Sequence, residues 1–278
     1  MGIALGGAKR FAMVPWMPGI WEFQINRMDR EFCELWEEYA RHFDPQLLAA
    51  DPHAAQIIPI GQQVTAKQEA RPWVELTAII EQGKAFRLGE CVCKKERGIL
   101  HGACTKPTEV CLTISPVADF EHIFDWGKSI SKEQAYQLLR DAEDAGLVHL
   151  TSNVASGHTF ICNCCGCCCA VLRPINEFNL TGVVNSHFYA EIDADKCDNC
   201  AVCKDERCQV QAIELTDMAH SVIKARCIGC GLCVTACPTE AITLIHKPQN
   251  EIALPLPSYQ EWNDARAQAR GTDYSAYK

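Results

Sequence analysis

The chain has 278 residues, a formal net charge of −9 and 19 cysteines. That length supports more than one compact unit and a real core in at least one of them. The acidic balance, with no basic stripe, argues against a general nucleic-acid binder. No stretch approaches the ~18 apolar residues of a membrane span.

The cysteines are odd in number and lie in tight runs, with no secretory leader ahead of them. That pattern suits metal ligation in a reducing cytoplasm better than disulfide pairing. Metal-bound thiolates add negative charge, so the expected partner is a redox protein with a basic docking face.

In chain order, residues 1–20 read as two short strands around Gly6-Gly7, ending at Pro18-Gly19. Residues 26–43 read as an amphipathic helix, with Met28, Phe32, Leu35, Tyr39 and Phe43 at helical spacing. Cys33 sits on that helix without a cysteine neighbour and reads as a packed thiol. Residues 44–72 are interrupted by prolines and are expected to run over the surface. A short helical or strand segment at 73–83 leads to the first cysteine group. Residues 131–145 make a clearer helix, with Ser131 as N-cap, Gln134 three residues on and a close near Gly146. A strand at 147–150 follows, then the cysteine run 162–169 and a link at 183–185. Beyond Pro248, Pro255 and Pro257, Ser258 and Glu261 offer a capping box for a last helix at 259–270, expected to pack on its own chain.

Two copies of one pattern lie thirty residues apart. The first is Cys197-x2-Cys200-x2-Cys203-x4-Cys208, followed by Gln-Val-Gln-Ala-Ile-Glu-Leu. The second is Cys227-x2-Cys230-x2-Cys233-x3-Cys237-Pro238, followed by Thr-Glu-Ala-Ile-Thr-Leu. The likeness extends past the cysteines, so the unit is duplicated. A cubane needs four thiolates, and each C-x2-C-x2-C loop reaches three of them. Gly229 and Gly231 permit close approach, and Pro238 suits the first turn of a helix. The fourth cysteine of each run is expected to face the other cluster. Cys197, Cys200, Cys203 and Cys237 would hold one, and Cys227, Cys230, Cys233 and Cys208 the other. Strands at 188–192, 213–215, 219–223 and 241–245, with a turn at Asp217-Met218, complete the unit. A single zinc ion would leave the third cysteine of each loop redundant.

These sixty residues resemble two-[4Fe-4S] bacterial-type ferredoxins. The first run departs from that pattern by one extra residue before Cys208 and by Gln209 where proline is usual. The insertion is expected to bulge the loop while keeping every ligand.

Ten cysteines lie upstream: Cys91, Cys93, Cys104 and Cys111 in one group, and Cys162, Cys164, Cys165, Cys167, Cys168 and Cys169 in another. Adjacent side chains diverge, so Cys164 and Cys165 would more readily serve different sites. The pairs 162/165, 164/167 and 165/168 have x2 spacing, and Gly166 allows a sharp turn. Three readings stay open: one or two further iron–sulfur clusters, a thiol site working by disulfide or persulfide chemistry, and a zinc staple. His101 is a candidate ligand beside Cys104, although a hydrogen-bonding role suits it better.

Segments in this region are similar to those of a family of cytoplasmic 4Fe-4S dicluster-domain proteins of anaerobic metabolism. They are Pro18-Gly-Ile-Trp-Glu-Phe-Gln24, Cys91-Val-Cys93-Lys, His101-Gly-Ala-Cys104-Thr-Lys-Pro-Thr-Glu-Val-Cys111, Ala145-Gly-Leu-Val148 and Cys162-Asn-Cys-Cys-Gly-Cys-Cys-Cys169. The resemblance implies electron transfer. It also implies a winged-helix-like N-terminus, of which residues 1–20 would be the wing, so that a longer chain or another subunit would supply the missing helices.

The expected fold is α+β. Residues 1–90 form an N-terminal segment with a possible winged-helix remnant, 91–185 a cysteine-rich domain, 186–248 the two-[4Fe-4S] module and 249–278 a docking tail. The expected role is electron transfer as part of an oxidoreductase system, since no nucleotide loop or catalytic triad is present. A reductase with an open iron at 162–169 and a redox-sensing regulator are the alternatives.

Overall fold

The computed structural model describes residues 2–5, 8–11, 19–48, 50–60, 75–118, 121–122, 126–216, 219–273 and 275. Strands β1 (Gly2–Leu5) and β2 (Ala8–Phe11) pair antiparallel. The intervening Gly6-Gly7, and Pro18, lie outside the described residues. Next come α1 (Arg30–Leu48), β3 (Ala55–Ile57), α2 (Leu76–Gln82), β4 (Ala85–Glu90), α3 (Val92–His101), β5 (Glu109–Ser115) and β6 (Glu121–His122). The N-terminal part ends with β7 (Lys128–Ile130), α4 (Lys132–Asp144), β8 (Val148–Ser152), β9 (Phe160–Cys164), α5 (Arg173–Phe178) and β10 (Val184–Asn185).

A seven-stranded sheet in the order β10-β3-β8-β9-β5-β4-β7 organises this part, and β6 joins β1 and β2 in a small second sheet. β9 lies at the centre, and its period-2 alternation puts Cys162 and Cys164 on one face. The other face of the sheet is closed by α4. Its capping box is complete: Ser131 Oγ accepts from the Gln134 N–H at 3.2 Å, and Gln134 Oε1 accepts from the Ser131 N–H at 2.8 Å. Ala135 and Leu139 of α4 then pack with Ile80, Phe86, Leu112 and Ile161.

Two expectations are corrected. The buried face of α1 carries Cys33, Trp36 and Ala40, whereas Leu35 and Tyr39 are 61% and 56% exposed. Trp21 decides the register, because its ring packs 4.3 Å from that of Trp36 and turns that side of the helix inward. Cys33 is a packed thiol with no exposure. The second correction concerns residues 55–60, which do not run over the surface. β3 is held between β10 and β8, which satisfy its backbone, and Ile58 and Ile60 are buried beyond it.

The duplicated unit is built from β11 (Phe188–Ile192), the hairpin β12 (Ile213–Leu215) and β13 (His220–Val222), the short α6 (Leu232–Thr235) and β14 (Ile242–His246). β11 pairs with β14, and β12 with β13; Asp217 and Met218 at the turn lie outside the described residues. This unit is not a bead on a tether. Val210, Ala212, Ile228 and Leu232 share one core with Leu48, Ile57, Leu150, Leu172 and Ile175 of the large-sheet part. At ~1.5–3 kcal/mol for each large apolar side chain buried, separating the two parts is costly.

The last helix, α7 (Tyr259–Ala269), starts at Ser258, whose side chain accepts from the Glu261 N–H. It packs on its own chain. Trp262 Nε1 donates to His53 O at 2.9 Å, and Arg266 donates to Ala50 O and Pro52 O. Among the described residues, no helix is long and apolar enough to cross a membrane.

Candidate metal centres

The two C-x2-C-x2-C loops fold alike, and the likeness is visible in the backbone. Gly229 and Gly231 have φ of 61° and 84°, and the matching positions in the first loop, Asn199 and Ala201, have φ of 61° and 63°. Three residues after each fourth cysteine, Gln211 and Glu240 both sit at φ 53°. A left-handed alanine is costly for an L-residue, so the loop geometry is imposed by the surrounding structure. At Gly229 a Cβ would meet Phe188 O at 2.3 Å, so there glycine is required for space as well as conformation. The backbone also aims donors at sulfur. The Ala212 N–H donates to Cys208 Sγ at 3.1 Å, the Ala241 N–H to Cys237 Sγ at 3.3 Å and the Ala190 N–H to Cys227 Sγ at 3.3 Å.

Each fourth cysteine lies beside sulfurs of the other run. Burial pushes the Cys203 thiol up to about 11, and the neighbouring sulfurs adding to the shift are Cys200, Cys197 and Cys237. Burial likewise raises Cys230 to about 12, with Cys227 and Cys208 as the sulfurs beside it. Cys233 is raised by burial and then by Cys230, Cys227, Cys208 and Cys203, so the two groups of four are neighbours. Crowded, buried thiols resist ionisation, and a cationic iron core between them offsets that resistance. The donor set therefore fits two cubanes.

Upstream, the ten cysteines are divided differently from their order in the chain. Six surround one cavity of ≈ 340 Å³: Cys91, Cys93, Cys111, Cys162, Cys164 and Cys169. Their thiols form a chain of contacts. Cys91 hydrogen-bonds Cys111 and Cys93, Cys111 bonds Cys162, Cys162 bonds Cys164, and Cys164 bonds Cys169. The hydrogen bonds from Cys111 and Cys93 hold the Cys91 thiol well below its ordinary range. Cys111 in turn pushes Cys162 well up, Cys162 does the same to Cys164 and Cys164 to Cys169, and burial adds to each. Glu22 also lines the cavity; burial raises its carboxyl to about 7, although the Gly19 N–H donates to it. The far wall is α7, through Trp262, Arg266 and Ala267, with Arg270 at its end.

The other four, Cys104, Cys165, Cys167 and Cys168, form a compact group with all sulfurs within 4.8 Å of one another. Hydrogen bonds from Cys167 and Cys168, then the charge of buried Lys94, pull the Cys165 thiol down to about 2. Neighbours 164 and 165 thus serve different groups, as expected from diverging side chains. Of the three x2 pairs, 165/168 is kept together while 162/165 and 164/167 are split. His101 is exposed at the end of α3 and stands outside both groups.

Sequence reasoning missed the seam between the upstream loop and the duplicated unit. The extra residue before Cys208 is taken up in a π-helical turn at Cys203–Arg207, where the Cys208 N–H donates to Cys203 O at 3.0 Å. The bulge brings Gln209 onto the cysteine run. Gln209 Oε1 accepts from the Gly166 N–H at 3.1 Å, and Asn176 Nδ2 donates to both Gly166 O and Gln209 O. The signal was present in the sequence as the glutamine in place of proline, but its partner lay 43 residues away. Glu22 lay in the segment 18–24 that resembles the dicluster-domain family but was given no role, and Arg266 and Arg270 carried no motif.

Two C-x2-C-x2-C loops on this small fold have the form of a ferredoxin-type 4Fe-4S binding unit, which is one part of the chain. The 4Fe-4S binding domain family matches residues 220–243, which contain Cys227, Cys230, Cys233 and Cys237. Over 61 residues the chain is also 44% identical to an uncharacterized ferredoxin of Methanocaldococcus jannaschii. That alignment covers 22% of this chain and 39% of the relative, so the likeness concerns only a part of each.

Proposed function

We propose that this protein passes single electrons through two [4Fe-4S] clusters to a partner redox protein with a basic docking face. Cys197, Cys200, Cys203 and Cys237 would hold one cluster, and Cys227, Cys230, Cys233 and Cys208 the other. The observation that supports the reading is the nearness of each fourth cysteine to sulfurs of the other run, Cys237 to Cys200 and Cys203, and Cys208 to Cys227, Cys230 and Cys233. When bound, such clusters supply one-electron couples at low potential. The chain's own part is to hold the two sets side by side, to donate N–H groups to Cys208, Cys227 and Cys237, and to exclude water around Cys203 and Cys233. Donation to sulfur and burial act on the potential in opposite directions, since the first favours added negative charge and the second opposes it.

The six-thiol cavity would hold a further cluster at the end of this path. A second reading rests on the same cavity, whose lining includes Arg266 and Arg270 beside the six cysteines. That arrangement favours a reductase binding an anionic substrate at an incompletely ligated iron. Anaerobic iron and sulfide analysis with electron paramagnetic resonance (EPR) of the reduced protein tests the main reading. Two interacting cluster signals and about twelve cluster irons are expected. A plateau at about eight irons removes the cluster in the cavity, and colourless protein removes the whole reading. Turnover of a substrate by the isolated, reduced protein would favour the reductase.

A further inference from the structure

We propose that Cys104, Cys165, Cys167 and Cys168 hold a single thiophilic divalent ion, zinc or ferrous iron, as a staple at the seam with the ferredoxin module. The site goes beyond electron transfer and does not depend on it. Its distances carry the argument. Cys104 Sγ lies 3.9 Å from both Cys165 Sγ and Cys167 Sγ, and Cys167 Sγ lies 3.3 Å from Cys165 Sγ and 3.6 Å from Cys168 Sγ. Four sulfurs at ~2.3 Å around one tetrahedral ion stand about 3.8 Å apart. A cubane places four irons between its thiolates and holds them wider than that.

The same chain supplies the contrast. Among the described residues, no other group of three or more cysteine, histidine or carboxylate ligands has all its atoms within 4.8 Å. The two ferredoxin sets and the six-thiol cavity are therefore more open than this group. Local backbone explains the difference. Residues 165–169 close a helical turn in which the Cys169 N–H donates to Cys165 O at 3.2 Å, so three thiols of the group come from four consecutive residues. Cys104 reaches them from the loop after α3 and supplies the fourth sulfur.

The position gives the ion a task. Gly166, inside the turn, donates to Gln209 Oε1, and Gln209 adjoins Cys208, the ligand proposed to cross to the second cluster. Fixing the turn from Cys104 thus holds the surface on which the bulged ferredoxin loop rests.

The test uses the full chain prepared without oxygen, analysed for zinc, iron and labile sulfide, with X-ray absorption at both metal edges. One zinc per chain identifies zinc; iron exceeding labile sulfide by one identifies ferrous iron. Zinc supports the site if its edge shows four sulfurs at about 2.3 Å and no metal–metal shell; ferrous iron supports it if the one iron in excess of sulfide is lost with the Cys167 thiol. Cys167→Ser, at an exposed thiol, should lose that one ion and keep the cluster iron and EPR signals of the parent. Loss of about four irons with matching sulfide would overturn the proposal, because it would place a cubane there. Absence of any non-cluster ion from the parent would also overturn it. Cobalt loading of the unmutated chain keeps the test independent of variant folding: tetrathiolate charge-transfer bands support the site, and their absence counts against it. Failure of the ferredoxin reading would appear separately, as missing cluster signals in the parent.

Discussion

The ferredoxin module and the cysteine-rich part upstream arrange their cysteines in opposite ways. In the module, each loop spaces its thiols by two residues, with left-handed residues at the same positions in both loops. Upstream, a strand and a tight turn share one run of six cysteines. Alternation along β9 sends Cys162 and Cys164 to the cavity, and the turn sends Cys165, Cys167 and Cys168 the other way. Regular spacing in sequence therefore marks one group of thiols, whereas a dense run marks a boundary between two groups.

That contrast explains what could be read in advance. The module's ligands follow from local spacing, and its strands are bounded by the repeat itself, so β11 spans the residues expected of it. The capping box of α4 is local too. The partition of the upstream cysteines depends on which strands become neighbours: β5 brings Cys111 to β9 through the pairing of Leu112 with Ile161. No period within either group encodes that pairing. The face of α1 was misread for a similar reason, since Trp21 lies before the helix and selects Trp36 over Leu35 and Tyr39.

The largest expected effect comes from breaking one centre on each side. Cys230→Ser should lose about four irons and one of the two module signals, leaving the other detectable by EPR. Cys164→Ser should leave both module signals intact while changing only the metal content of the cavity. If Cys164→Ser abolishes the module signals as well, the two regions are one cooperative unit and the contrast between them fails. The shared core at Ile228, Leu232, Leu150 and Ile175 makes this a real contest.

A smaller effect is expected where the two regions touch. A Cβ at Gly166 would lie 1.8 Å from Gln209 O, a backbone atom that cannot swing aside. Gly166→Ala should therefore force the turn and the bulged loop apart, at about 1–3 kcal/mol. Denaturant unfolding of the anaerobic protein measures this as a lower midpoint with an unchanged slope. An unaltered midpoint would show that the seam is looser than its distances imply.

The mildest change removes one acceptor from the same seam. Gln209 Oε1 receives the Gly166 N–H, and Gln209→Ala leaves that partly buried donor without its side-chain partner. The backbone oxygen of residue 209 still accepts from Asn176, so the loop stays attached and the cost should be about 1 kcal/mol. Amide exchange at Gly166 should quicken several-fold, while exchange at the Ala241 N–H, bonded to Cys237 Sγ on the far side of the module, should not change. Equal acceleration at both amides would mean that the substitution loosens the module as a whole. Exchange unchanged at Gly166 would mean that the glutamine, despite replacing the usual proline, has no part in docking the two regions.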